Sequence, residues 1–257
     1  ALDRALALAE RVGADLVIAN DPDADRCAVA VEGRVLTGDE MGALLADHLL
    51  RAGVRGRYAS TIVSSSLLEA MCAAYGMPFS ATLTGFKWIV RSGPDLVFGY
   101  EEALGYAVAP DIVRDKDGIS AALLIADLAA TLKATGSSLP QRLAEIESRY
   151  GVHATGQVSI RVAELAQIQA LMARLRSAPP ASLAGRPVAS VEDLRPDADV
   201  LRLRAEGIRV VIRPSGTEPK VKAYLQVIER GPRARTVAAE RLEALRSQIA
   251  ELLGQES

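Results

Sequence analysis

The sequence is poor in several features that would narrow its role. Only two of its 257 residues are cysteine, Cys27 and Cys72, so no disulfide framework is available and a reducing, cytoplasmic setting is the expectation. The two histidines, His48 and His153, stand in no catalytic or metal-ligand pattern and read as structural or surface residues. Charge of one sign is not in excess: 30 Lys and Arg face 32 Asp and Glu, for a formal net charge of -2. Broad attraction to nucleic acid is therefore not expected. No apolar run approaches membrane-spanning length and no signal-peptide pattern opens the chain, so no membrane partner is expected either. There is no internal repeat and no low-complexity tract beyond an Ala bias. Aromatic residues reach only 4%, a compositional bias without mechanistic content. What is present is a soluble, globular composition, 49% hydrophobic, long enough for one large domain or two ordinary ones. The chain opens at Ala1 inside a helical pattern, without an initiator Met, and reads as a piece of something longer.

The most informative segment is Asp21-Pro22-Asp23-Ala24-Asp25-Arg26. Three carboxylates at alternate positions repel one another, and a bound divalent cation is the simplest remedy. Oxygen-only ligands in a tight loop suit a hard ion such as Mg²⁺, with coordination positions left for a phosphate oxygen. Short apolar stretches flank the loop, residues 15–20 and 27–31, both of strand character. A calcium loop of the EF-hand kind would place Glu32 at its twelfth position, but Arg26 stands where the sharp turn needs Gly, and strands rather than helices flank it. Glu32-Gly33 reads instead as the turn of a hairpin.

Periodicity predicts a helix over residues 2–12 closed by Gly13, a helix start at Thr37-Gly38-Asp39-Glu40 leading into residues 41–50, and an extended run over 58–64. Further helices are predicted over 67–75 and 119–131, with a shorter one from Lys87, and strands at 79–84 and 96–98. This alternation argues an α/β domain with a mainly parallel sheet from about residue 37 to 150. After Gly151 the character changes: strands at 153–162, 200–204, 208–213 and 221–229, helices at 164–176 and about 235–253, and a loop at 177–181. That grouping predicts a small α+β domain with an antiparallel sheet over 151–257.

Four more stretches carry chemistry. Arg213-Pro-Ser-Gly-Thr-Glu-Pro219 lies between two predicted strands; the Arg213 fork, the Ser215 and Thr217 hydroxyls and the permissive Gly216 suit a phosphate dianion, although an ordinary hairpin turn has the same composition. Gly99-Tyr-Glu-Glu-Ala-Leu-Gly-Tyr106 follows an apolar strand, where α/β proteins place ligand contacts, and Glu101 and Glu102 can accept from sugar hydroxyls. A helix N-terminus complemented by acidic residues is the plainer alternative. Arg114-Asp-Lys-Asp-Gly118 mixes both signs ahead of a helix. Thr84-Gly-Phe-Lys-Trp-Ile89 sets Lys87 beside the sole Trp, which a cation–π contact or a core Trp explains without function.

In this order the segments resemble the α-D-phosphohexomutase superfamily of phosphoglucomutases and phosphomannomutases, and the wording of residues 100–106 is closest to its branch with phosphopentomutase-type members. There, four domains surround a cleft, and a phosphoserine exchanges its phosphoryl group with a sugar phosphate through a bisphosphate. The resemblance implies that Asp21, Asp23 and Asp25 hold Mg²⁺, that Arg26 lies beside the transferring phosphate, and that Lys87 and Lys116 add positive charge. It implies that Glu101 grips sugar hydroxyls and that Arg213, Ser215, Gly216 and Thr217 clamp the other phosphate. Mannose, glucose or pentose phosphates are the implied substrates. Ala103 stands where many relatives carry Ser, and Leu104 lengthens the spacing to Gly105. Nothing in the sequence resembles the phosphoserine segment Thr-Ala-Ser-His-Asn-Pro. Residues 1–36 then read as the end of domain two, 37–150 as domain three and 151–257 as domain four, with the N-terminal domains as missing partners. The alternative is a non-catalytic phosphosugar-binding or regulatory module.

Overall fold

Local chemistry places most elements where the sequence predicts them. The computed structural model describes residues 2–162, 164–215 and 218–254, and it forms two compact units, Ala1–Tyr150 and Gly151–Ser257. In the N-terminal unit, α1 (Asp3–Val12) stops on left-handed Gly13. Strands β1 (Val17–Asn20), β2 (Cys27–Val31) and β3 (Arg34–Val35) form an antiparallel sheet in that order. The β2–β3 turn takes positive φ at both Glu32 and Gly33, the twist a tight hairpin favours. Helix α2 (Gly38–Arg51) opens with a reciprocal cap: the Glu40 amide donates to the Thr37 hydroxyl, and the Glu40 carboxylate accepts from the Thr37 amide.

Four strands build the main sheet of this unit: β4 (Arg57–Thr61), β5 (Phe79–Thr82), β6 (Leu96–Glu101) and β7 (Gly105–Ala107), in the order β5-β4-β6-β7. The first three are parallel and β7 is antiparallel to β6. Helices α3 (Leu67–Tyr75), α4 (Phe86–Ile89), α5 (Gly118–Ala134) and α6 (Leu139–Tyr150) complete it. Scarce aromatics are concentrated where they matter: Tyr58, Phe98, Tyr100 and Tyr106 are fully buried, with successive ring centroids 5.9, 6.2 and 6.5 Å apart. Helix α2 reaches this row only because two of its residues lack a side chain. A Cβ on Gly38 would lie 2.1 Å from the Glu102 carbonyl oxygen, and one on Gly42 would lie 2.7 Å from the Tyr100 ring.

In the C-terminal unit, β8 (Val152–Arg161), β9 (Ser182–Leu183), β10 (Arg186–Asp193), β11 (Leu201–Ala205), β12 (Ile208–Pro214) and β13 (Lys220–Glu229) form one sheet in the order β8-β13-β12-β11-β10-β9. Every neighbouring pair is antiparallel. Helices α7 (Leu165–Ser177) and α8 (Ala234–Leu253) set Met172, Leu175, Leu245 and Ile249 against Val210, Ile212, Ala223 and Leu225. The sequence expectation of a loop followed directly by two strands omits β9 and β10. Their residues are mostly exposed, and Pro187 is tolerated near a sheet edge. Among the described residues, no single helix is long and apolar enough to cross a membrane.

Helix α6 is also absent from the sequence expectation. It buries Leu139, Leu143, Ile146 and Tyr150 and is tied to α2 by a buried ion pair: Arg142 donates to both Asp47 oxygens, at 2.7 and 2.6 Å, while the Asp47 side chain is 2% exposed. Removing one partner of such a pair leaves an uncompensated charge, whereas replacing both is far cheaper. Arg142→Ala should therefore lower the unfolding free energy by about 3–5 kcal/mol in urea denaturation, and Asp47→Leu/Arg142→Met should recover most of that loss.

Candidate functional site

The acidic loop is shaped by its own backbone before any partner acts on it. The Ala24 amide donates to the Asp21 carbonyl at 2.9 Å, and Ala24 takes φ 56. The Arg26 amide donates to Asp21 Oδ1 at 3.1 Å, and Asn20 Nδ2 closes the loop on the Arg26 carbonyl at 2.8 Å. Two other segments dock on it. The Cys27 amide donates to the Leu104 carbonyl and Arg26 bridges Gly105, so the β6–β7 hairpin lies alongside. The Gly118 amide donates to the Ala24 carbonyl at 3.0 Å, bringing in the basic turn of residues 114–118. Here a side chain would not fit: a Cβ on Gly118 would lie 2.3 Å from the Arg26 oxygen and 2.6 Å from Asn20 Nδ2.

Lys116 is the centre of this junction. Its Nζ lies 3.2 Å from Asp25 Oδ2 and 3.9 Å from Glu101 Oε1. Arg26 Nε lies 3.8 Å from Asp21 Oδ2 and 4.0 Å from Asp25 Oδ1. The repulsion that suggested a divalent cation is thus met here by two basic side chains. Burial alone would raise the Asp21 carboxyl, but the hydrogen bond from the Arg26 amide, the contact with the Asp25 side chain and the Arg26 charge outweigh it and hold Asp21 below the usual aspartate value. Burial raises Glu101, and the charges of Lys116 and Arg26 offset only part of that.

The three aspartates do not act alike. Asp23 is exposed and pairs with no described residue. Among the described residues, no three His, Cys, Asp or Glu side chains gather into a group able to hold a metal ion. Asp21 and Asp25 lie together beside Arg26, and Lys116 pairs with Asp25, while Asp23 makes no pair with a described residue. The donor set still suits a hard cation. All its donors are oxygens, and Asp25 Oδ1 is buried without a hydrogen-bond partner, an orphaned acceptor that an ion would satisfy.

The two glutamates also part company. Glu101 ends β6 and faces Lys116. Glu102 turns inward, where its Oε2 accepts from the Thr61 and Ser64 hydroxyls at 3.3 Å each. Burial first, then the nearby Asp39 carboxylate, push Glu102 up to about 7. Sequence reasoning paired it with Glu101 because the two are adjacent, but at a strand end adjacent side chains take opposite faces. The segment is a hairpin turn rather than a helix N-terminus: Glu101 pairs with Gly105 across a loop in which Leu104 adopts φ 69, as three-residue hairpin loops do. Asn20, Gly118, Asp39, Thr61 and Ser64 are structural contributors that motif reasoning missed as a set. Only the strand-following position of Ser64-Ser65-Ser66 hinted at them.

Lys87 lies elsewhere. Exposed on α4, it sits 5.4 Å above the Trp88 ring, and Trp88 is itself 41% exposed rather than a core residue. Among the described residues it makes no ion pair with the acidic loop.

In the C-terminal unit the 213–219 segment joins β12 to β13, with Arg213 opposite Lys222 and Lys220 opposite Arg161. By strand alternation these four cations share one sheet face. The Ser215 amide donates to the Lys220 carbonyl at 2.8 Å. Glu218 is the local counter-charge, paired with Lys220 and lying 3.3 Å from Arg161; its hydrogen bond to Lys220, with that charge, holds its carboxyl below the usual glutamate value. Gly216 and Thr217 lie outside the described residues.

Gly118→Ala should push the acidic loop away from the 114–118 turn. Amide protection at position 118, Arg26 and Cys27 should fall in the variant, with a destabilisation of about 1–3 kcal/mol.

Residues 37–150 match the family profile "Phosphoglucomutase/phosphomannomutase, alpha/beta/alpha domain III", and residues 158–244 match that family's C-terminal domain. A "Probable phosphomannomutase" of Haemophilus influenzae is 44% identical over 259 residues, covering 96% of this chain and 53% of the relative. A "Phosphopentomutase" of Homo sapiens is 34% identical, covering 88% of this chain and 44% of the relative. Among solved structures, a "putative phosphomannomutase" from Thermus thermophilus aligns with TM-score 0.75 and 25% identity, over 98% of this chain and 49% of that one. The chain spans about half the length of the curated relatives it matches. An α/β unit with a mostly parallel sheet, followed by an antiparallel unit, is the arrangement of those two domains, and the chain belongs to the α-D-phosphohexomutase superfamily, of which it carries domains III and IV.

Proposed function

We propose that this chain supplies the sugar-facing and phosphate-binding part of a phosphohexomutase that interconverts sugar 1-phosphates and 6-phosphates, on mannose, glucose or pentose phosphates. The observation that carries this is the junction at Lys116, where one ammonium lies between the acidic loop and the sugar-loop carboxylate Glu101. Phosphoryl transfer depends mainly on positioning and charge neutralisation. Lys116 and Arg26 would hold a phosphoryl group of the substrate beside the loop, and Glu101 would accept from sugar hydroxyls, orienting the ring. Arg213 and the Ser215 hydroxyl, with the cations beside them, would hold the phosphate that is not reacting, and Gly216 and Thr217 would complete that turn. Lys87 would add positive charge from α4.

The family generally uses Mg²⁺, and Asp21 and Asp25, joined by Asp23, would hold it. When bound it neutralises charge on the transferring phosphoryl group. Two gathered carboxylates make a weak Mg²⁺ site, since the ion gives up its waters reluctantly and leans on phosphate oxygens as well. Residues 1–36 would then be the end of domain two, and the phosphorylated serine that exchanges phosphoryl groups would come from N-terminal domains. The cytoplasm is the proposed setting. A phosphosugar-binding module without transfer is the second reading; it is favoured for the chain taken alone because no segment here resembles Thr-Ala-Ser-His-Asn-Pro.

Three measurements test this. A coupled assay on the full-length protein, with Mg²⁺ and a bisphosphate activator, should show turnover of one of these sugar phosphates; none on any of them overturns the reading. With this chain alone, calorimetry should show weak Mg²⁺ binding and no turnover. Separately, inorganic phosphate should bind the 213–219 turn weakly and with salt sensitivity, and Arg213→Ala should abolish that binding with the fold intact. Equal binding by both proteins removes the assignment.

A further inference from the structure

Glu102 is the titratable group that the proposed chemistry leaves unused, and its surroundings are unusual for a carboxyl beside a ligand loop. It begins the turn of the β6–β7 hairpin. Its amide donates to Ser64 Oγ at 3.2 Å while its carboxylate accepts from the Ser64 and Thr61 hydroxyls, and those two hydroxyls lie 2.8 Å apart. Thr61 and Ser64 are 2% and 1% exposed. From α2 the charged group that acts on it is Asp39, 8% exposed, whose Oδ1 accepts from the Ser65 amide at 2.7 Å and from the Tyr100 hydroxyl at 2.9 Å. From β6 it is Glu101, whose own counter-charges, Lys116 and Arg26, lie toward the acidic loop. The Tyr106 phenol, on β7, is directed at the Gly38 carbonyl, 3.5 Å away. The groups that act on Glu102 most strongly include no basic side chain. The hairpin that presents Glu101 is therefore pinned to the loop after β4 through one inward carboxyl facing another.

We propose that Glu102 is a positioning residue whose proton state seats the β6–β7 hairpin: protonated, it locks the turn onto Thr61 and Ser64, and ionised, it is driven outward by Asp39 and Glu101 and loosens the turn. This rests on the reading of Glu101 as the sugar contact for its functional consequence, but not for the device itself. Burial and Asp39 raise this carboxyl to about 7. The folded chain thus holds the proton more tightly than the unfolded chain. Stability from this group is present at low pH, is lost as pH rises from the ordinary glutamate range through about 7, and changes no further above it. Sugar-phosphate binding at the Lys116 junction should weaken over the same interval.

The test uses this chain, its Glu102→Gln variant, which is a neutral isostere of the protonated form, and Asp39→Asn. Side-chain carboxyl carbon NMR should show Glu102 titrating near 7 in the wild type and lower in Asp39→Asn. Amide exchange at Ala103 and Ser65, corrected for intrinsic pH dependence, should quicken about tenfold between about pH 6 and 8 in the wild type and stay flat in Glu102→Gln. Titration of Glu102 in the ordinary glutamate range, or the same pH response in both proteins, overturns the proposal. Glucose 6-phosphate binding, measured in parallel over that interval, should weaken more in the wild type than in Glu102→Gln; the ratio cancels titration of the ligand's own phosphate. If neither protein binds any sugar phosphate, the proposed function fails while the exchange data still decide the role of Glu102.

Discussion

The N-terminal unit depends on how closely the first turn of α2 approaches the end of β6. With no side chain at Gly38 or Gly42, helix backbone meets strand backbone and the face of Tyr100. That contact sets the depth of the aromatic row beneath α2. It also puts Asp39 within reach of Tyr100 and of the Ser65 amide, and it shelters Glu102. The hairpin bearing Glu101 begins where this contact ends. A methyl group at Gly38 would reach beyond α2, because the carbonyl it displaces belongs to the turn of the β6–β7 hairpin.

In the acidic loop, like charges are set against two basic side chains. Arg26 and Lys116 approach the carboxylates at distances where attraction is real but partly screened, since the Arg26 side chain is 48% exposed. They neutralise the loop without satisfying it, and the buried Asp25 oxygen remains an acceptor with nothing to accept.

Much of the fold was legible from residue pattern. The helices closed by Gly13 and Gly76, the capping box at Thr37 and Glu40, and the β2–β3 turn rest on local chemistry, and they formed where that chemistry pointed. Helix α6 carries a legible helical spacing in Leu139, Leu143, Ile146 and Tyr150, although the expectation omitted it; what no spacing could show is its ion pair with Asp47, far along the chain. Strands β9 and β10 are held by backbone pairing at the end of a sheet and carry little apolar alternation to announce them. The site was legible as a set of segments but not as an arrangement. Spacing could not show that Asp23 stays outside, that Lys87 rests on Trp88, or that adjacent Glu101 and Glu102 face opposite ways.

The cap of α2 has one more partner. Arg34, on β3, places its Nη1 at 2.8 and 2.9 Å from the two oxygens of Glu40, so one carboxylate both starts the helix and grips the small sheet. Angular motion between the three-stranded sheet and α2 must stretch these charged hydrogen bonds at the helix end. Heat should reach the two sheets of this unit together, as one melting event rather than two.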